Sequence, residues 1–146
     1  MALSDNQVIE TKVPDASLKL KVVDGLIRIY RKALLNYEAG NIGYVKLGSD
    51  TLSEEFAGIS LEEKNLAAAD NTSNGTYDVE VLPKGCGKLI KLAVTSTITI
   101  ANEGDTVYVD GDDAVDIASG ITNTTNGRVG TIKQFISANE AWVKLD

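Results

Sequence analysis

Apolar and polar positions alternate with a period of two over several short stretches of this chain, and Gly, Asn and Asp separate those stretches. Leu18, Leu20 and Val22 alternate with Lys19 and Lys21. Asp24-Gly25 then signals a tight turn, and 26–35 is a second strand-like run, which together predict a β-hairpin. A helix over 26–37 competes with that reading, because Arg, Lys, Ala and Leu are good helix formers. A turn at 38–41 leads to a short strand at 42–47, ended by Gly48-Ser49-Asp50. Residues 56–59 read as another strand. Ser60-Leu61-Glu62-Glu63 fits a capping box, so a helix over 61–69 stands beside a strand there.

Past the polar loop 71–75, Tyr77, Val79 and Val81 share one face of a strand, ended by Pro83-Lys84-Gly85. The run 89–100 is rich in β-branched residues, with Val94, Ser96, Ile98 and Ile100 on one face. Strands at 106–109 and 114–117 flank Asp110-Gly111-Asp112-Asp113, a hairpin signal. After a small-polar loop at 119–126, strands at 128–136 and 141–145 form a closing pair. The expected fold is all-β, a small β-sandwich or partly closed β-barrel over 18–146, preceded by an extended, polar N-terminal arm over 1–17. The expected core is Val79, Val81, Val94, Ile98, Ile100, Val107, Val109, Ile132, Val143 and Leu145.

Charge narrows the function classes. The 146 residues carry 21 Asp and Glu against 14 scattered Lys and Arg, a net charge of −7. That balance argues against a nucleic-acid partner, which needs clustered cations. Positions 1–6 lack the basic start and apolar stretch of a signal peptide, and no run approaches the ~20 apolar residues of a membrane span. Neither export nor a membrane partner is expected. The sequons at Asn71 and Asn123 are then chance matches.

Candidate chemistry is sparse. There is no His, and Cys86 is the one cysteine, so Ser-His catalysis, an intramolecular disulfide and the common zinc sites are excluded. Cys86 reads as a small apolar residue. Gly85-Cys86-Gly87-Lys88 lacks the spacing and the Ser or Thr of a phosphate loop. Asp110, Asp112, Asp113 and Asp116 could offer carboxylates to a hard cation, but the spacing is not that of an EF-hand, and a solvated hairpin tip accounts for them. Glu54-Glu55 and Glu62-Glu63 are chain neighbours, which a strand points to opposite faces, so they read as solvated edges and not as acid/base pairs. Trp142 and Lys144 fall opposite Ala141, Val143 and Leu145. Trp142 either covers the end of the fold or anchors an interface. No catalytic, cofactor-binding or metal-binding residue is expected.

The order Gly104-Asp105-Thr106-Val107-Tyr108-Val109, a small-polar loop, Arg128-Val129-Gly130-Thr131-Ile132 and Ala141-Trp142-Val143-Lys144-Leu145 resembles the head-decoration, or capsid cement, proteins of tailed bacteriophages. Upstream, Gly25-Leu26-Ile27-Arg28-Ile29-Tyr30, Phe56-Ala57-Gly58-Ile59 and Gly75-Thr76-Tyr77-Asp78-Val79 fit the same order. The resemblance implies a non-enzymatic virion protein, assembled in the host cytoplasm. It would bind the major capsid protein on the outer head surface, often as a homotrimer, with the arm ordering on binding. A tail-fibre, baseplate or carbohydrate-binding attachment module is the alternative.

Overall fold

Strand formation follows the alternation. The computed structural model describes residues 17–39, 41–66 and 69–146, and most of the expected arm lies outside these described residues. Strands β1 (Leu18–Val22), β3 (Leu34–Glu38), β4 (Asn41–Leu47), β5 (Glu55–Ser60) and β7 (Asp78–Pro83) close into one barrel. Strands β8 (Leu89–Val94), β9 (Thr106–Val109), β10 (Ala114–Ile117), β11 (Arg128–Ser137) and β12 (Glu140–Lys144) close into a second. Two-residue strands β2 (Arg28–Ile29) and β6 (Lys64–Asn65) pair outside the barrels. The all-β expectation holds, and both sheets are fully closed, which removes their exposed edges.

The two barrels share one connectivity. In each, the first strand runs parallel to the third and antiparallel to the fifth. The second strand pairs antiparallel with the third and the fourth, and the fourth with the fifth. Equivalent positions of the first, second and fourth strands lie 72 residues apart, and those of the third strand 70. Val22 opposes Val45 as Val94 opposes Val115, and Leu35 opposes Gly58 as Val107 opposes Gly130. At the last strand the offset falls to 62, where Leu18 opposes Val81 as Ile90 opposes Val143. The first lobe has a long β5–β7 connection containing β6, and the second has a tight β11–β12 hairpin. The first strands still read alike, Leu-Lys-Leu-Lys-Val against Ile-Lys-Leu-Ala-Val.

Burial explains where the alternation breaks down. In β8 it is clean, with Ile90, Leu92 and Val94 buried and Lys91 and Ala93 exposed, because one face meets water. The first lobe instead has consecutive apolar pairs. Leu35, Ala57 and Val81 point into its own core, while Leu34, Phe56 and Leu82 join the core of the second lobe. Strands buried on both faces cannot afford a polar position at alternate residues. The apolar contact between the lobes is therefore continuous with the interior of the second.

Several local expectations are corrected. The hairpin of 18–22 with 26–35 does not form. Lys32, at φ +70°, breaks the run after β2, and β1 pairs with β4 and β7. The capping-box residues start no helix. The Ser60 hydroxyl donates to the Glu62 carbonyl at 2.6 Å, the Leu61 amide bonds the Glu80 carbonyl, and the chain enters β6. The run 89–100 ends as a strand at Val94. Thr99 then caps a 3₁₀ turn over Ile100–Asn102, leaving Ile100 70% exposed. The other nine expected core residues are buried.

Candidate functional site

The polar residues with the most built surroundings join the two lobes. Asp50, just after β4, accepts backbone N–H bonds from Thr122 at 2.7 Å and Asn123 at 2.6 Å. Asn123, 1% exposed, returns its amide to the carbonyls of Thr51 at 2.9 Å and Glu54 at 2.7 Å. Its side-chain oxygen accepts from Asn126 N–H, and Phe56 N–H bonds the Asn126 carbonyl. Each short polar side chain here satisfies backbone groups that a packed loop would otherwise bury unpaired.

Glu54 anchors this clamp from below. It is 3% exposed, while Glu55 points outward, so the opposite-face expectation holds but the solvated-edge reading of Glu54 does not. Its carboxylate accepts from Lys46 Nζ at 2.8 Å, Ser49 Oγ at 2.7 Å and Asn36 Nδ2 at 3.1 Å. Lys46 also lies 3.4 Å from Glu38. Burial pushes the Glu54 carboxyl up, but the hydrogen bonds from Lys46, Asn36 and Ser49 outweigh it and hold the group below its ordinary value. The Glu54 hydrogen bond, opposed by burial, raises Lys46.

A group held low in the folded state stabilises above its unfolded value, and that stability is lost as pH falls through the folded value. Acid titration is therefore expected to loosen the clamp, and Glu54→Gln should flatten the fall of melting temperature between pH 6 and 3. At pH 7 that substitution should cost roughly 1.5–3 kcal/mol by replacing charge-assisted hydrogen bonds to the buried carboxylate with neutral ones, while Lys46 keeps Glu38 as a partner. Parallel pH profiles for the two proteins would show that Glu54 is not a source of the acid sensitivity.

The acidic hairpin does not assemble into a cation site. Asp110 accepts from the Thr95 hydroxyl, and Asp116, 3% exposed, accepts from the Ser96 amide and hydroxyl. Asp112 is buried at the lobe contact, where its carbonyl accepts from Leu34 N–H. Among the described residues no group of three or more His, Cys, Asp or Glu could hold a metal ion. Cys86 is half-buried against the second lobe's core. Lys88 is 5% exposed, a burial its glycine-rich surroundings do not foretell. The sequon asparagines Asn71 and Asn123 are each 1% exposed and hydrogen-bonded.

Charge is unevenly distributed along the chain in the second lobe. From position 92 to 127 the chain has no Lys or Arg and six acids: Glu103, Asp105, Asp110, Asp112, Asp113 and Asp116. These belong to β9, β10 and their turns. Lys91, Arg128, Lys133 and Lys144 lie on β8, β11 and β12. Trp142 sits among them, outward and half-buried, opposite Lys91 on one side and Gln134 on the other. Two open grooves lie beside these acids. One, about 430 Å³, is lined by Asp105, Thr106, Tyr108, Ile117, Ala118 and Ser119. The other, about 280 Å³, is bordered by Thr95, Asp110, Asp113 and Asn139. The sequence places Trp142 on the solvent side, but it does not place these strands around a closed barrel. No protein-family model and no curated protein matches the chain.

Proposed function

We propose that this protein is a structural component of a tailed-phage virion that binds the major capsid protein on the outside of the assembled head and stabilises the shell by bridging subunits. The observation that carries this reading is the doubled architecture. Two lobes of the same connectivity are locked to each other by a continuous apolar contact and by the Asp50–Asn123 clamp. A rigid body with two related heads suits a lattice that offers related contacts on neighbouring subunits. Many weak contacts, repeated over a shell, add to firm attachment, and a protein that binds only the assembled state stabilises that state.

The test is binding of the full chain to expanded heads, unexpanded heads and free capsid subunits of the phage that encodes it. Tight binding to expanded heads, weak binding to free subunits and a higher disruption temperature of decorated heads are expected. Equal affinity for shells and subunits, or identical disruption temperatures with and without the protein, would overturn the reading in favour of a fibre, baseplate or carbohydrate-binding attachment role.

A further inference from the structure

The Glu54 carboxylate holds an amine and a carboxamide side by side. Asn36 on β3 and Lys46 on β4 are direct partners across an antiparallel pair, so their side chains leave the sheet on the same face. Phe56 on β5 opposes Asn36 from the other side, and Glu54, two residues earlier, returns to that face. Glu54 Oε1 accepts from Lys46 Nζ at 2.8 Å, and Oε2 accepts from Asn36 Nδ2 at 3.1 Å. The Ser49 carbonyl also accepts from Asn36 Nδ2, at 2.9 Å. A carbonyl cannot donate, so this bond fixes which way the Asn36 amide points. Asn36 is fully buried, and its Oδ1 has no hydrogen-bond partner among the described residues. An unpaired buried carbonyl oxygen is costly, and a purely structural role for Asn36 does not account for it.

We propose that the folded chain forms its own isopeptide bond here, from Lys46 Nζ to Asn36 Cγ, with Glu54 as the catalytic base and acid. Glu54 Oε1 takes a proton from the Lys46 ammonium, and the freed amine attacks Asn36 Cγ to make the new N–C bond. Glu54 gives that proton through Oε2 to Asn36 Nδ2. The Cγ–Nδ2 bond breaks, and Nδ2 leaves with its electron pair as ammonia. The carboxylate then takes the second proton from Nζ and hands it to the departing ammonia, which exits as ammonium. An ammonium and a carboxamide become an amide and free ammonium, Glu54 is restored, and no oxidant, metal or co-reactant is consumed. The fold supplies what the uncatalysed exchange lacks, a held amine and one group placed to move both protons. Burial of Asn36 keeps water from competing for Cγ. The Lys46–Glu54 ion pair is the state before reaction, and because the neutral amine is its minor form, the bond forms slowly after folding. Once made, it staples β3 to β4 beside the Asp50–Asn123 clamp, whatever the protein binds.

The experiment is mass spectrometry on the full chain, fresh and after prolonged incubation at neutral pH. A species lighter than the sequence mass by one ammonia is expected to accumulate. Trypsin no longer cuts after the acylated Lys46, so fragment 33–46 gives way to 33–64, lighter by one ammonia. Cleavage after Glu38, inside the new loop, leaves its two pieces joined. Lys46→Arg keeps a cation beside Glu54 but offers no nucleophilic amine, and should abolish the product. Asn36→Ala should abolish it as well, and Glu54→Gln should slow it roughly 100-fold. Circular dichroism checks each fold, and the conservative Lys46→Arg decides if the other two unfold. Cyclic imides at Asn74-Gly75 and Asn126-Gly127 would also shed ammonia, but hydroxylamine cleaves an imide and leaves an isopeptide intact. Three results would overturn the proposal: wild-type protein at full sequence mass after incubation, a hydroxylamine-resistant loss that survives Lys46→Arg, or folded Glu54→Gln that reacts as fast as wild type.

Discussion

Val107→Asp is expected to remove at least about 4 kcal/mol of stability, a large share of the 5–15 kcal/mol typical of a folded domain. Val107 is fully buried in β9, opposite Ile117 on one side and Gly130 on the other. An aspartate there loses the apolar contacts of the valine and buries a carboxylate where the neighbours are apolar core. The same core takes in Leu34, Phe56, Ile59 and Leu82 of the first lobe. The damage should therefore spread, and both lobes should unfold in one transition at a lower urea concentration. Trp142 fluorescence reports the second lobe. Four of the five tyrosines, Tyr30, Tyr37, Tyr44 and Tyr77, report the first. A Val107→Asp protein with an unchanged urea midpoint would mean that the inward register of β9 is inverted.

How much of this the sequence discloses depends on how many faces of a strand are buried. Where one face meets water, as in β8, β9 and β12, alternation names the inward residues, and Val94, Val107, Val143 and Leu145 are all buried as expected. Where both faces are covered, as at Leu34-Leu35 and Val81-Leu82, period two disappears and the run says only that the segment is apolar. Ile100 fails for a different reason. Asp116, distant in sequence, captures the Ser96 backbone and hydroxyl beyond the end of β8, so the alternation continues past the strand. The buried role of Glu54 is equally non-local, since its partners Lys46, Ser49 and Asn36 come from β4, the following loop and β3. The doubling had a legible trace in the kinship of residues 18–22 and 90–94, but little else repeats at the level of residue identity. What recurs is pairing partners, which no local window contains.

Gly130→Ala is the second large effect, and it tests the doubling directly. A Cβ at Gly130 would stand 1.8 Å from the Lys144 carbonyl oxygen and 2.8 Å from its carbon. At the equivalent Gly58 it would stand 2.5 Å from the Leu82 carbonyl oxygen. In both lobes the fourth strand thus approaches the backbone of the fifth too closely for any side chain, and in both the pairing of the second and fourth strands shifts register beside that glycine. Such a glycine marks a bulge where one backbone crosses close to another. The obstacle is backbone within a closed ladder, so it cannot swing aside as a flexible side chain would. Gly130→Ala should cost about 3 kcal/mol or more, and Gly58→Ala somewhat less, in proportion to the milder overlap. Gly111→Ala is the control. Its nearest neighbour is the Asp113 carboxylate at 3.3 Å, a mobile group, so the change should be close to neutral. Urea unfolding of the three variants decides the matter. If Gly130→Ala and Gly58→Ala were as stable as Gly111→Ala, the two barrels would not close through the tight crossing that makes their fourth strands equivalent.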